Sequence, residues 1–136
     1  MNKDLELSVT LNTDLPGHAY LVVNGGKHVH EFNEHPEGQG ICWTLTGNAS
    51  HGEFCEPDSD TPCLQWPHRK PPEGIFRSHA KPAPNKFRML NHHTGQDSRG
   101  QWHYQLFARF GDRICQTPWT STNGASDTSN PTIKNT

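Results

Sequence analysis

Proline and glycine punctuate this sequence so often that no helix of useful length fits between them. Its 136 residues include 11 Pro and 12 Gly, and nowhere do apolar residues recur at i, i+3, i+4 and i+7 across three turns. Each proline fixes φ and removes a backbone donor, so it is also barred from the centre of a sheet. Pro57, Pro62, Pro67, Pro71, Pro72, Pro82 and Pro84 crowd into residues 57–85. That stretch reads as a long ordered excursion, with "CLQW" (63–66) and "GIF" (74–76) as short extended pieces. The rest of the fold must be built from strands.

Alternation supplies them. In "LELSVTLN" (5–12), Leu5, Leu7, Val9 and Leu11 share one face, as in a half-buried strand. "AYLVVN" (19–24) follows the turn signal "DLPGH", and "GGKHVHEF" reads as a turn into a third strand. In "ICWTLTG" (41–47), Ile41, Trp43 and Leu45 alternate with Cys42, Thr44 and Thr46. The strongest local signal is "GQWHYQLFARFGDRICQTP", where Trp102, Tyr104, Leu106, Ala108 and Phe110 share a face. Its Gly111-Asp112 suits a two-residue type II′ turn. That register sets Phe110 opposite Arg113 and Ala108 opposite Cys115, which makes Cys115 a buried apolar residue rather than a reactive nucleophile. Residues 118–136 read as a largely polar C-terminal segment in which Pro131 and Ile133 form a short edge strand. The expected fold is all-β: a single domain over 1–136, an antiparallel two-sheet sandwich of seven to eight short strands. A closed barrel is the second architecture.

Hydrophobic residues make up 30% of the chain and the mean hydropathy is -0.89, yet four Trp and six Phe are present. A small core with much loop follows. The net charge of -2 points by itself to neither nucleic acid nor membrane. Its distribution is uneven: residues 29–60 carry Glu31, Glu34, Glu37, Glu53, Glu56, Asp58 and Asp60 without a Lys or Arg. Residues 69–88 then carry Arg69, Lys70, Arg77, Lys81, Lys86 and Arg88 against one acid, Glu73. Loops of opposite sign pair within a chain or between subunits. "MNKDLELSVT" has no apolar h-region, and no apolar run approaches the roughly 18 residues of a span. A cytoplasmic protein is therefore expected, with Cys42, Cys55, Cys63 and Cys115 as free thiols. Cys55 and Cys63 flank a short loop and would bridge if oxidised.

The order "ICWTLTG", "DTPCLQW", a proline-rich segment, "KFRMLNHHT", "GQWHYQLFARFGDRICQTP" and "SDTSNPTIKNT" resembles the DP-EP family of small bacterial proteins. That family closes on a "DPxIxN" motif after a "GxWxYxL" strand. Here residues 130–135 fit the motif, with Asn130 in place of the family's Asp. Over residues 40–136 the resemblance implies an immunoglobulin-like or cupredoxin-like sandwich, and it brings no active-site residue with it.

Metal chemistry centres on "GGKHVHEFNEHPEG" (25–38). On a strand, His28 and His30 face the same way with Cβ atoms roughly 7 Å apart. That suits two imidazoles on one transition-metal ion, with Glu34 supplying a carboxylate. The string also looks like the first cupin motif, a His-x-His pair followed by Glu, with His103 a faint echo of the second. Against this, ten histidines give on the order of 0.7 His-x-His pairs by chance. The alternation that buries Trp102 and Tyr104 also turns His103 outward, beside Gln101 and Gln105. Phe32 shares the face of His28 and His30, which equally suits a half-covered surface hairpin. A blue-copper centre is excluded by order, since no His or Met follows Cys115 within "QTPWTSTNG". His92 and His93 read as exposed turn histidines.

The leading expectation is a non-enzymatic binding or self-association domain whose specificity lies in the excursion, at Trp66, Arg69, Lys70, Phe76 and Arg77. Its ligand is unspecified, and an exposed sheet edge would make it a homodimer. The second is a cupin-like enzyme holding a divalent transition metal at His28, His30 and Glu34. The third is nucleic-acid binding through the basic segment 66–88, where Trp66, Phe76 and Phe87 interleave with the bases. A pI near 6.5 argues against it.

Overall fold

The computed structural model describes residues 4–15, 18–27, 29–67, 69–117 and 131–136. These residues form twelve strands: β1 (Leu5–Leu15), β2 (His18–Val23), β3 (Val29–Phe32), β4 (Gln39–Leu45), β5 (Glu53–Phe54), β6 (Leu64–Gln65), β7 (Phe76–Ala83), β8 (Lys86–Asn91), β9 (Gly100–His103), β10 (Gln105–Phe110), β11 (Arg113–Gln116) and β12 (Thr132–Asn135). The fold is all-β, as the alternation requires. Among the described residues helical structure is confined to three-residue 3-10 turns, and no helix is long and apolar enough to cross a membrane.

The strands form a five-stranded sheet ordered β2-β1-β4-β8-β7, a second sheet ordered β11-β10-β5 with β6 also on β10, and a third ordered β3-β12-β9. None closes into a barrel. Two expectations need correcting. Among the described residues twelve strands stand where seven to eight were expected, several of them only two to four residues long. The pairing is also not antiparallel throughout: β1 runs parallel to β4, with Leu7 beside Trp43, and β12 runs parallel to β3. Parallel neighbours need intervening chain to return to the same end. Here β2 and β3 lie in that connection.

The proline-rich excursion is corrected in its second half. Residues 76–83 are a full strand, β7, paired with β8 at the outer side of the five-stranded sheet. Pro82 fits there because an edge strand has one side that forms no ladder bonds. The register slips twice along β7, and Ser78 takes φ +62°. The β10–β11 hairpin is as the sequence implies, with Phe110 opposite Arg113 and Ala108 opposite Cys115. Gly111 has φ +68° while Asp112 stays in the ordinary region, the type II′ pattern.

The core lies where the sheets meet. Trp43 stacks on Phe87 at 5.6 Å between ring centroids, Tyr104 meets Trp43 edge-on at 5.4 Å, and Phe54 reaches Phe87 at 6.3 Å. Those rings come from β4, β8, the junction of β9 and β10, and β5, so they tie the five-stranded sheet to the β10 sheet. β12 was read as an edge strand, but it is the middle strand of its sheet. Ile133 is fully buried there. Its backbone is satisfied on both sides, as a buried strand demands.

Candidate functional site

Of the residues proposed for metal, His30 is buried and Glu34 is exposed. β3 is buried on alternate residues, and His30 and Phe32 point inward while Val29 and Glu31 face out. The half-covered hairpin expected here is therefore wrong: β3 pairs with β12, and His30 is 4% exposed. Its Nε2 lies 2.8 Å from the Tyr104 hydroxyl, which also accepts a hydrogen bond from Trp43 Nε1 at 3.0 Å. Burial raises the Tyr104 phenol well above its ordinary range, so it remains a neutral hub. Glu34 sits apart at the surface, where Arg99 donates to it at 3.1 Å. His28 lies outside the described residues. Among the described residues no three His, Cys, Asp or Glu side chains are placed to hold a metal ion. His103 is partly buried with Nδ1 2.8 Å from Thr132 Oγ1, while Gln105, expected beside it on the outer face, is buried and donates to the Thr117 carbonyl.

Of the residues proposed for partner binding, Trp66, Lys70 and Phe76 line one cleft. Trp66 follows β6 and Phe76 opens β7, and their rings pack at 5.0 Å between centroids. They wall a cleft of about 310 Å³ that Lys70, Glu73 and His79 also line. The turn Pro72–Gly74 separates it from a second, polar cleft of about 380 Å³ bordered by Arg77, His92, Gln96 and Asp97. Arg77 fixes that turn by donating to the Gly74 carbonyl from Nε at 2.9 Å and Nη2 at 2.6 Å. Gly74 itself needs φ +94°, a conformation that favours glycine. Arg69 lies over the Trp102 ring at 4.9 Å, a cation–π contact that covers an otherwise buried indole.

The basic run is not a continuous stripe. Lys81 bridges Glu53 and Glu56 at 3.5 and 2.8 Å, so the oppositely charged loops partly pair within the chain. Arg88 holds Asp4 through two hydrogen bonds, one at 2.9 Å. Of the other bases, Lys70 lines the first cleft and Arg77 the second, while Arg69 covers the Trp102 ring.

Sequence reasoning missed a buried polar knot beside the second cleft. His93, read as an exposed turn residue, is 2% exposed. Its Nδ1 lies 2.6 Å from Ser98 Oγ and its Nε2 donates to the Thr136 carbonyl at 2.7 Å. Asn135 and Asn91 exchange amide hydrogen bonds at 2.8 and 3.2 Å, and Asn135 also donates to the Ser98 carbonyl. The knot ties the 93–98 loop to the end of β12. Ser98 Oγ also bonds the Gly95 carbonyl at 2.9 Å, which marks it as a turn-forming hydroxyl. The sequence signal was the closing Asn of the "NPTIKN" motif.

No protein-family model matches the chain, and a search of curated proteins finds no match.

Proposed function

We propose that the chain is a binding domain of two-sheet sandwich architecture, of the immunoglobulin-like or cupredoxin-like kind that the DP-EP resemblance implies. In this reading it catalyses no reaction. Packing of Trp43 and Phe87 from one sheet against Phe54 and Tyr104 from the other side supports the sandwich. The ligand site is the shelf of Trp66 and Phe76 with Arg69, Lys70 and Arg77 around it. One observation carries this: two aromatic residues ten positions apart pack with ring centroids 5.0 Å apart and wall a cleft that Lys70 also lines, beside Pro71 and Pro72. An aromatic floor with a cationic rim suits an acidic peptide segment that also bears an apolar side chain. Such a segment belongs to another protein or to a second copy of this chain.

Self-association through β7 is disfavoured in this reading. Two register slips, Pro82 and the inward Lys81 are the devices by which edge strands avoid pairing with one another. The second copy would instead dock at the shelf.

The test is a fluorescence titration of the full chain with a short Asp/Glu-rich peptide carrying one Leu, beside its Asn/Gln counterpart. A saturable change with the acidic peptide, weakened by salt and lost in Trp66→Ala and Lys70→Glu, supports the shelf. Equal response to both peptides, or binding unaltered in the variants, overturns it. Sedimentation equilibrium on the same proteins identifies a second copy as the partner if a dimer disappears with Trp66→Ala.

A further inference from the structure

A second site lies on β10, away from the shelf. β5 and β6 run along the same side of β10: Phe54 is opposite Ala108, and Leu64 is opposite Leu106. Continuing each register by one residue sets both Cys55 and Cys63 opposite Phe107. The hydrogen bonds agree. The Cys55 N–H donates to the Phe107 carbonyl at 3.1 Å, and the Phe107 N–H donates to the Cys63 carbonyl at 2.8 Å. In an unbroken antiparallel ladder a single residue would make both bonds. Here two cysteines divide them, so 53–55 and 63–65 form one strand cut open by the loop 56–62.

The two cysteines are thus the neck of that loop, side by side and both reduced. Cross-strand partners share a face, so both thiols lie on the side of Phe107, opposite to Phe54, Leu64 and Ala108. A disulfide needs α-carbons about 4.4–6.8 Å apart with the Cβ atoms directed at each other, and these two residues share one cross-strand partner on one face. The loop is internally set by Ser59 Oγ, which bonds the Glu56 and Thr61 carbonyls at 2.7 and 2.9 Å. Lys81 clamps Glu56 from outside. A cleft of about 250 Å³, bordered by Glu53, Cys55, Glu56, Ser59 and Arg109, reaches Cys55. Cys63 is 1% exposed and does not line that cleft.

We propose that Cys55 and Cys63 are a redox-modification site: a small-molecule disulfide of the glutathione type reacts with Cys55 through the cleft, and Cys63 then closes an intramolecular disulfide across the neck of the loop. In the first step the Cys55 thiolate attacks one sulfur of the small disulfide. That S–S bond breaks, and the released small thiolate takes up the proton that Cys55 lost. In the second step the Cys63 thiolate attacks Cys55 Sγ. The mixed disulfide breaks, and the second small thiol leaves with the proton from Cys63. Two protein thiols lose two electrons, and the small disulfide gains them as two thiols.

The order of attack follows from the surroundings. Burial raises the Cys55 thiol, Arg109 and Lys81 oppose that rise, and Glu53 adds to it. Burial and the adjacent Cys55 push Cys63 up to about 12. Cys42 and Cys115 are buried on other strands, each apart from a second thiol.

The experiment incubates the full chain with glutathione disulfide, followed by intact mass and peptide mapping under acid quench. The wild type is expected to lose about 2 Da and to yield one linked peptide pair containing Cys55 and Cys63. Cys63→Ala is expected to stop at a glutathione adduct on Cys55, with near-UV circular dichroism confirming that the variant is folded. A wild type that stays reduced while its urea-unfolded chain oxidises overturns the proposal. So does a bridge or adduct that involves Cys42 or Cys115 instead.

Discussion

Tyr104 shows how a single hydroxyl sets the character of the core. It is fully buried and satisfies Trp43 Nε1 and His30 Nε2 at once. Tyr104→Phe keeps the ring but strips both partners of that bond, and an unpaired buried polar group is costly. The expected loss is about 2–4 kcal/mol in urea unfolding, with little change in the slope of the transition. An unchanged midpoint would show that His30 and Trp43 find other partners. Asp4 carries the second residue-scale prediction. The hydrogen bonds from Arg88 hold its carboxyl below the ordinary 3.8, against an opposing effect of burial. A carboxylate lowered in the folded state stabilises above its unfolded value, and that contribution is lost as pH falls below 3.8 through the folded value. Asp4→Asn should therefore lower stability at neutral pH and flatten the acid limb, as read from urea midpoints taken down from about pH 5.

At the scale of the element, β10 and β11 were the most legible part of the chain. Five alternating apolar residues and a Gly-Asp turn left one register open, and the structure adopts it. Gly111 tests the turn cleanly, because a Cβ there would meet nothing within 4 Å and only its φ of +68° resists substitution. Gly111→Ala should cost about 1 kcal/mol, read from the urea midpoint. A neutral result would mean that the turn relaxes to another type. β7 was less legible. Prolines at 82 and 84 hide a strand whose alternation is also broken by two register slips. β12 was misplaced for another reason: a short segment's position in a sheet depends on what pairs with it. Here β3 and β9 flank it, and Asn135 is held by Asn91 and Ser98.

For the whole molecule, the loop 56–62 precedes β6, and the shelf follows it between Trp66 and the start of β7. Oxidation at Cys55 and Cys63 would close the loop covalently and restrict the unfolded chain. For a loop of this length the entropy of closure corresponds to about 2–3 kcal/mol. The oxidised chain should thus unfold at higher urea than the reduced chain, and Cys55→Ser should abolish the difference. A strained bridge would reverse the sign, which the same pair of urea curves would reveal. Peptide binding at the shelf should persist in both redox states, since neither Cys55 nor Cys63 lines its cleft.

Periodicity and proline by themselves determined the all-β class, the β10–β11 hairpin and the core alternation in β1 and β4. These are local properties, set by sterics and by the period of two along a strand. The sequence also singled out Trp66, Arg69, Lys70, Phe76 and Arg77, because aromatic and basic residues on a proline-stiffened loop have few internal uses. Only the tertiary structure decided that Trp66, Lys70 and Phe76 line one cleft while Arg69 covers Trp102 and Arg77 holds the Gly74 turn, and that His30 turns inward to Tyr104 while Glu34 turns out to Arg99. Only it set Cys55 beside Cys63, because both strands are templated by β10, more than forty residues further along the chain. Pairing between distant segments is chosen by the fit of faces and the closure of backbone hydrogen bonds. Neither is written in the spacing of residues within one segment.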